Sequence, residues 1–218
     1  MINDSAGVMT KVRAALGRTA PLKTAPVPPE LADNVIRLTA ATANLAELFA
    51  ARAIACKMGV ETVDPVSLPG RVVEFLQSRN VRRVALPKSD LLERLGIGSA
   101  LTAAGLEVMN WPQMTLDALY DVDGAVTDVF KAVAETGSLV LRSSPTHGRA
   151  LSLVPMVHVA IVEQANFLAD LVDLFSLLTA EKNSTGITII TGPSKTADIE
   201  MNLVTGVHGP GVVQVFIV

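Results

Sequence analysis

Residues Val60–Met109 read VETVDPVSLPGRVVEFLQSRNVRRVALPKSDLLERLGIGSALTAAGLEVM, and this stretch decides the fold. Val60–Val63 is a short β-branched run that predicts a strand. Leu68–Ser78 carries apolar residues at helical spacing behind an early proline. Arg83–Leu86 is a second strand, and Ser89–Leu95 a helix opened by a capping serine, whose hydroxyl can accept from free first-turn amides. Leu106–Met109 is a third strand, followed by a short helix over Thr115–Tyr120. Strands alternating with helices pair in parallel through right-handed crossovers, which predicts an α/β layer fold.

Toward the C-terminus the rhythm changes. Val129–Glu135 and Ser138–Arg142 flank Thr136-Gly137, a spacing that predicts a hairpin. Val157–Val162, Gly186–Ile190 and Val212–Val218 are β-branched runs suited to buried strands. Between them, Gln164–Lys182 places Leu168, Leu171, Val172, Phe175 and Leu178 on one face, with Asp170 and Asp173 opposite, and predicts an amphipathic helix.

Toward the N-terminus, Leu31–Met58 predicts a long helix, with Val35, Leu38, Thr42, Leu45 and Phe49 three and four apart. Before it, APLKTAPVPPE holds Pro21, Pro26, Pro28 and Pro29, which keep a backbone extended and stiff. Residues 4–17 predict a helix capped by Asp4 or Ser5 and closed by Gly17. The expected division is an arm and linker over residues 1–29 and an α/β domain over 30–218, the arm either packing on its own domain or gripping a partner. No internal repeat is present.

Composition narrows the function. In 218 residues, Lys and Arg number 18 against 21 Asp and Glu, for a net charge of −3, and aromatics make up 4%. Nucleic-acid binding needs a cationic footprint or stacking rings, so that class is set aside. The mean hydropathy is +0.43, yet the longest apolar stretch, Ala150–Val162, is broken by Ser152, Pro155 and His158, short of the roughly 20 residues a spanning helix needs. With no charged-then-apolar leader and a single cysteine, Cys56, the expectation is a cytoplasmic protein with no membrane span. One thiol makes no internal disulfide, tetrathiolate zinc site or cysteine-ligated iron–sulfur cluster.

The sharpest local feature is GITIITGPSKTADIEMN, Gly186–Asn202. A strand ending at Thr191 runs into a Gly192-Pro193 turn, and a helix is expected to begin around Ser194–Thr196. Its free amides, the Ser194 and Thr196 hydroxyls and Lys195 would suit a carboxylate or phosphate, whereas Asp198 and Glu200 would repel one. The second glycine of a Walker loop is missing. Glu135, at the hairpin turn inside an apolar run, is a candidate base or nucleophile, although a solvated turn glutamate is the commoner case. Of the three histidines, His147 falls between a strand end and a helix and His208 in a Gly-Pro turn. His158 lies inside a strand, where a satisfied core histidine is the commoner role. No pair has metal-ligand spacing, and no metal site is expected. Nucleophile-elbow and dinucleotide-glycine fingerprints are also missing.

Three strings in order, Val133–Leu141 VAETGSLVL, His147–Pro155 HGRALSLVP and Ile190–Pro210 ITGPSKTADIEMNLVTGVHGP, resemble the lactate-utilisation (LUD) domain family, in its lactate-utilisation protein C branch. The resemblance runs from about Arg71 to the C-terminus. It implies a Rossmann-like open sheet flanked by helices, similar to the NagB/RpiA/CoA-transferase group. It implies a part in oxidising L-lactate to pyruvate beside a cysteine-rich protein and an iron–sulfur LUD protein, with clusters in those partners and no cofactor on this chain. The family's motifs fall on Ala134-Glu135-Thr136-Gly137, on His147-Gly148-Arg149, on Thr191 to Ser194 followed by Asp198 and Glu200, and on His208. Where relatives carry a small residue and an aromatic before the glutamate, this chain has Asp128-Val129-Phe130.

The preferred reading is a non-cluster subunit of an iron–sulfur lactate-oxidising system. Glu135, His147 and Glu200 would act as catalytic groups. Thr136, Gly137, Arg149, Thr191, Gly192, Ser194, Lys195, Asp198 and His208 would line a cleft for a small carboxylic acid or a partner group. The alternatives are a standalone enzyme on a phosphorylated or CoA-linked substrate using Glu135, and an interaction module that binds through the arm.

Overall fold

The computed structural model describes residues 5–18, 37, 39, 43–111, 113–180, 186–196, 204–205 and 209–218. The chain divides into two units, Met1–Ile36 and Arg37–Val218. In the first, helix α1 spans Ser5–Ala15 and Gly17 closes it at φ +64°, as the sequence predicts.

The second unit is built on a six-stranded, all-parallel sheet. Its strands are β1 (Gly59–Thr62), β2 (Arg83–Leu86), β3 (Glu107–Asn110), β4 (Gly124–Asp128), β7 (Val157–Val162) and β12 (Val212–Ile217), in the order β1-β12-β7-β4-β2-β3. A second sheet, β8-β5-β6-β9, combines β5 (Lys131–Val133), β6 (Ser138–Arg142), β8 (Phe167–Leu168) and β9 (Ile187–Ile190). Its β5–β6 and β6–β9 pairs are antiparallel, and its β5–β8 pair is parallel. A small antiparallel ribbon joins β10 (Lys195–Thr196) to β11 (Val204–Thr205).

Strand alternation sorts the side chains into layers. On β12, Phe216 faces a core shared with α3 (Leu68–Ser78) and α5 (Ile97–Ala103), where Leu68, Leu76, Ile97 and Leu101 are fully buried. Val213, Val215 and Ile217 face the opposite way, against Phe49 and Ala53 of α2 (Leu45–Ala55) and Leu139 of β6. The second sheet in turn buries Val133 and Val140 against Leu174 of α8 (Leu171–Ala180). Each such aliphatic side chain contributes roughly 1.5–3 kcal/mol on leaving water. Among the described residues no helix is long and apolar enough to cross a membrane.

Helix α3 and strands β2 and β7 match the predicted bounds. Ser89 does cap α4 (Asp90–Arg94), its hydroxyl accepting from Leu92 N–H. Several expectations are corrected. The long N-terminal helix begins only at Leu45, because Asn44 is extended and accepts from Glu47 N–H as a cap. Arg37, Thr39 and Ala43 are not helical, and the remainder of the expected start lies outside the described residues. The hairpin turn spans the four residues 134–137 rather than two.

The helix expected over Gln164–Lys182 is a 3₁₀ turn at Gln164–Asn166, then β8, then α8. Asp170, predicted on a polar face, is 1% exposed: it accepts from Asp173 N–H at the start of α8 and from Arg37 Nη1 at 3.2 Å. Leu174 rather than Phe175 is the fully buried residue, Phe175 being 55% exposed. Lys195–Thr196 is a strand paired with Val204–Thr205, so no helix starts at Ser194–Thr196.

Candidate functional site

In an open α/β sheet, ligands bind beyond the carboxyl ends of neighbouring strands whose onward connections leave in opposite directions. Strands β2 and β4 form such a pair. The chain leaves β2 for β3 at the sheet's outer edge, and leaves β4 through the second sheet for β7 on the other side. The loop after β2 supplies Lys88 and Ser89, and β4 ends on Asp128. Strand β4 was not predicted, and Asp128 entered the sequence reading only as a departure from the family pattern. Its signal is the apolar run Gly124–Thr127 closed by an acid.

Opposite Asp128 stands His147, its Nδ1 at 3.4 Å from Asp128 Oδ1. A turn closed on itself holds the imidazole in place. Ser144 N–H donates to His147 O, His147 N–H to Ser144 O, and Thr146 N–H to Ser144 Oγ, while Lys88 N–H donates to Thr146 O. Trp111, after β3, donates from its indole Nε1 to Pro145 O at 3.1 Å. Gly148 lies so close to the same ring that a Cβ there would stand 2.4 Å from Trp111 Cζ2.

Asp128, His147, Ser144, Thr146 and Lys88, with Phe130 and Arg142, line a cavity of about 230 Å³. The Arg142 guanidinium lies 3.6 Å over the Phe130 ring. Burial pushes the Asp128 carboxyl up, but the His147 ring, the backbone amide and the Ser89 hydroxyl outweigh it and hold the group below its ordinary value. Asp128 is therefore a carboxylate at neutral pH; its Oδ1 makes no hydrogen bond and faces His147 Nδ1 as a charge contact. His147 Nε2 is buried and makes no hydrogen bond, which leaves that nitrogen for whatever enters the cavity.

Deeper in the sheet, His158 shares a 2.8 Å hydrogen bond with Thr127 through Nε2. Burial, and then repulsion from His147, push its pKa down to about 3, so the ring is neutral. Its Nδ1 has no hydrogen-bond partner, so it is only half the satisfied core histidine expected. Among the described residues no group of three or more His, Cys, Asp or Glu is placed to hold a metal ion.

The remaining predicted residues gather elsewhere. Thr136 Oγ1, Ser138 Oγ and Thr191 Oγ1 form a chain of hydrogen bonds of 2.7 and 2.8 Å. Gly137 and Gly192, at φ +67° and +117°, press the hairpin turn and the Thr191 loop onto the end of α2. A Cβ would stand 2.4 Å from Ala53 N in the first case and 2.5 Å from Cys56 O in the second. Thr136, Gly137, Thr191 and Gly192 are thus brought together as expected, with half-buried Glu135 beside them.

Ser138 and Arg142 are four residues apart on β6, about 13 Å at strand rise, so this cluster and the His147 cavity lie toward opposite ends of the strand. Glu135 does not line the cavity that holds His147. Exposed Arg149 packs beside Gly186. Ser194 N–H donates to Pro210 O, and Lys195 is exposed on β10. Asp198, Glu200 and His208 lie outside the described residues.

A second hollow of about 600 Å³ adjoins the first through Lys88, lined also by Leu92, Ser99, Asn110, Trp111 and Gln113. Lys88, Trp111 and Arg142 were not among the residues singled out in the sequence. The position of Lys88 in a strand-to-helix loop, between predicted β2 and α4, is the signal that would have found it.

Residues 41–218 match the model of the LUD domain. "Lactate utilization protein C" of Bacillus subtilis (strain 168) is 33% identical over 141 residues, which make up 58% of either chain. The protein of the same description from Deinococcus radiodurans is 31% identical over 159 residues, covering 72% of this chain and 71% of that one. This chain thus spans 58% of the length of the Bacillus relative. The crystal structure of a DUF162 family protein from Deinococcus radiodurans superposes with a TM-score of 0.60 at 25% identity, covering 79% of this chain and 95% of that chain. Matched over nearly all of its second unit, the chain belongs to the LUD domain family.

Proposed function

We propose that this chain serves L-lactate utilisation and that the crevice beyond β2 and β4 receives a small 2-hydroxy carboxylate. The observation that carries the reading is the Asp128–His147 pair in a 230 Å³ cavity that Lys88 and Arg142 also line. The two cations suit a carboxylate, Arg142 by its planar fork and Lys88 as a point charge. His147 Nε2 takes the substrate hydroxyl proton, and Asp128 stabilises the imidazolium that forms. The descriptions of the relatives supply the lactate context.

Oxidation of L-lactate to pyruvate releases two electrons and two protons. His147 takes the hydroxyl proton, and the Cα proton leaves with the electron pair to the oxidant. Cys56, the single cysteine, cannot ligate a cluster, so the electrons are assigned to a partner. We infer partners of the family's kind, a cysteine-rich protein and an iron–sulfur LUD protein, acting with this chain as the subunit that carries no cluster.

The test is growth of the native host on L-lactate as sole carbon source, in a background without other lactate oxidases. His147→Gln is expected to abolish growth while the purified variant keeps the wild-type circular dichroism spectrum. Growth at the wild-type rate would remove His147 from the reaction.

A further inference from the structure

The cavity that holds His147 suits a small acid, yet the adjoining hollow is more than twice as large and the reaction above leaves it unused. The chain's one tryptophan lines it. Two restraints fix that indole: its N–H is spent on Pro145 O, and Gly148 lies against the ring with no room for a side chain. A tryptophan held this way offers the hollow an apolar aromatic surface and no donor, at little further entropy loss on binding. Asn110 and Gln113, both exposed, flank it with amide donors and acceptors, and Ser99 adds a hydroxyl. Lys88, exposed and shared by the two hollows, supplies positive charge at their junction, while Glu93, also exposed on the lining, confines an anion to the Lys88 end. A volume of about 600 Å³ is in the range of cofactor and small-molecule pockets.

We propose that this hollow binds a nucleoside phosphate, its base stacked on Trp111 with an edge read by Asn110 and Gln113, and its phosphate at Lys88. The ligand class follows from the combination. A stacking surface calls for a planar ring, neighbouring amides for a ring with donors and acceptors at its edge, and the lysine for an anion. The site needs neither His147 nor Asp128 but shares Lys88 with the lactate reading, so Gln113→Ala, at a residue that lines this hollow alone, tells the two apart.

Because Trp111 is the only tryptophan, the emission of the full chain excited at its indole band reports this hollow alone. The probes are adenosine 5′-monophosphate, ribose 5-phosphate and L-lactate. Adenosine monophosphate is expected to quench saturably, ribose 5-phosphate to bind at least about tenfold more weakly, and Lys88→Gln and Gln113→Ala each to weaken the nucleotide by about tenfold, as one lost charged or bidentate contact would. Both side chains are exposed, so these variants should fold; equilibrium dialysis with radiolabelled nucleotide gives the same affinities without the tryptophan signal. No saturable quenching and no dialysis binding would overturn the proposal. So would equal affinity for the nucleotide and the sugar phosphate, because the ring would then contribute nothing. A response to L-lactate identical to that of the nucleotide would assign the hollow to the lactate site instead.

Discussion

At one end of β6, Thr136, Ser138 and Thr191 share their hydroxyl hydrogen bonds among themselves, and two glycines weld the turn and the loop onto α2. Toward the other end, Asp128 and His147 face a cavity with a buried ring nitrogen that makes no hydrogen bond. Both regions are built from residues of the family's motifs or beside them; from the sequence, Thr136 and Thr191 are expected to line a cleft and His147 to act as a catalytic group. The geometry sets the two regions apart. Polar groups that satisfy one another hold structure in place, whereas a buried nitrogen beside a cavity that makes no hydrogen bond has capacity left for a ligand.

The hardest break comes at the hydroxyl end. Gly137→Ala is expected to lower stability by about 2–5 kcal/mol, since a left-handed residue would gain a Cβ inside the backbone of α2; urea denaturation measures it. A loss under 1 kcal/mol would mean that the turn can lift off α2.

Next, the two carboxylates can be set against each other in lactate-dependent growth. Asp128→Asn should reduce the rate by about a hundredfold, the lower end of general-base contributions, while Glu135→Gln should leave it near the wild type. The opposite result would return the site to the hairpin turn.

The smallest effect is one of pH and belongs to His158. Its pKa is held at about 3 in the folded chain, against an ordinary 6.5. The unfolded chain therefore binds the extra proton between those values, and the stability from the neutral ring is complete above pH 6.5 and lost as pH falls toward 3. Between pH 7.5 and 5.5 this one group accounts for about 1.4 kcal/mol. His158→Gln should flatten that slope in denaturation curves, and an unchanged slope would assign it to other groups.

How much of this was legible beforehand depended on distance along the chain. Val157–Val162 is a contiguous apolar run and Leu68–Ser78 an amphipathic one, so each declares its own conformation locally. Asp170 does not: its spacing marks a solvated helix face, but its partners include Arg37, far upstream in the chain, and the pairing shifts the helix start. Gly124–Asp128 says little locally, since Val126 is its one β-branched aliphatic residue. The sequence marks His147 but not Asp128 beside it, since the two meet only once β4, β6 and the 144–147 turn have taken their places. Local pattern reports local structure; the meeting of two loops at the rim of a sheet is a property of the crossovers.

The position of β12 bears on how the molecule comes into being. It follows β7 in chain order, yet it lies between β1 and β7, and among the described residues β1 pairs with β12 alone. As the chain leaves the ribosome, β2, β3, β4 and β7 can pair as soon as each has emerged, and the elements of the Asp128–His147 crevice are all present by then. Strand β1 has to wait for a partner made at the far end of the sequence, a long-range closure of the kind that slows folding. The crevice can therefore be assembled before the sheet's outer edge is sealed, and the window between the two events is the period in which the nascent chain is most exposed to proteases and to mispairing along the free edge of β7.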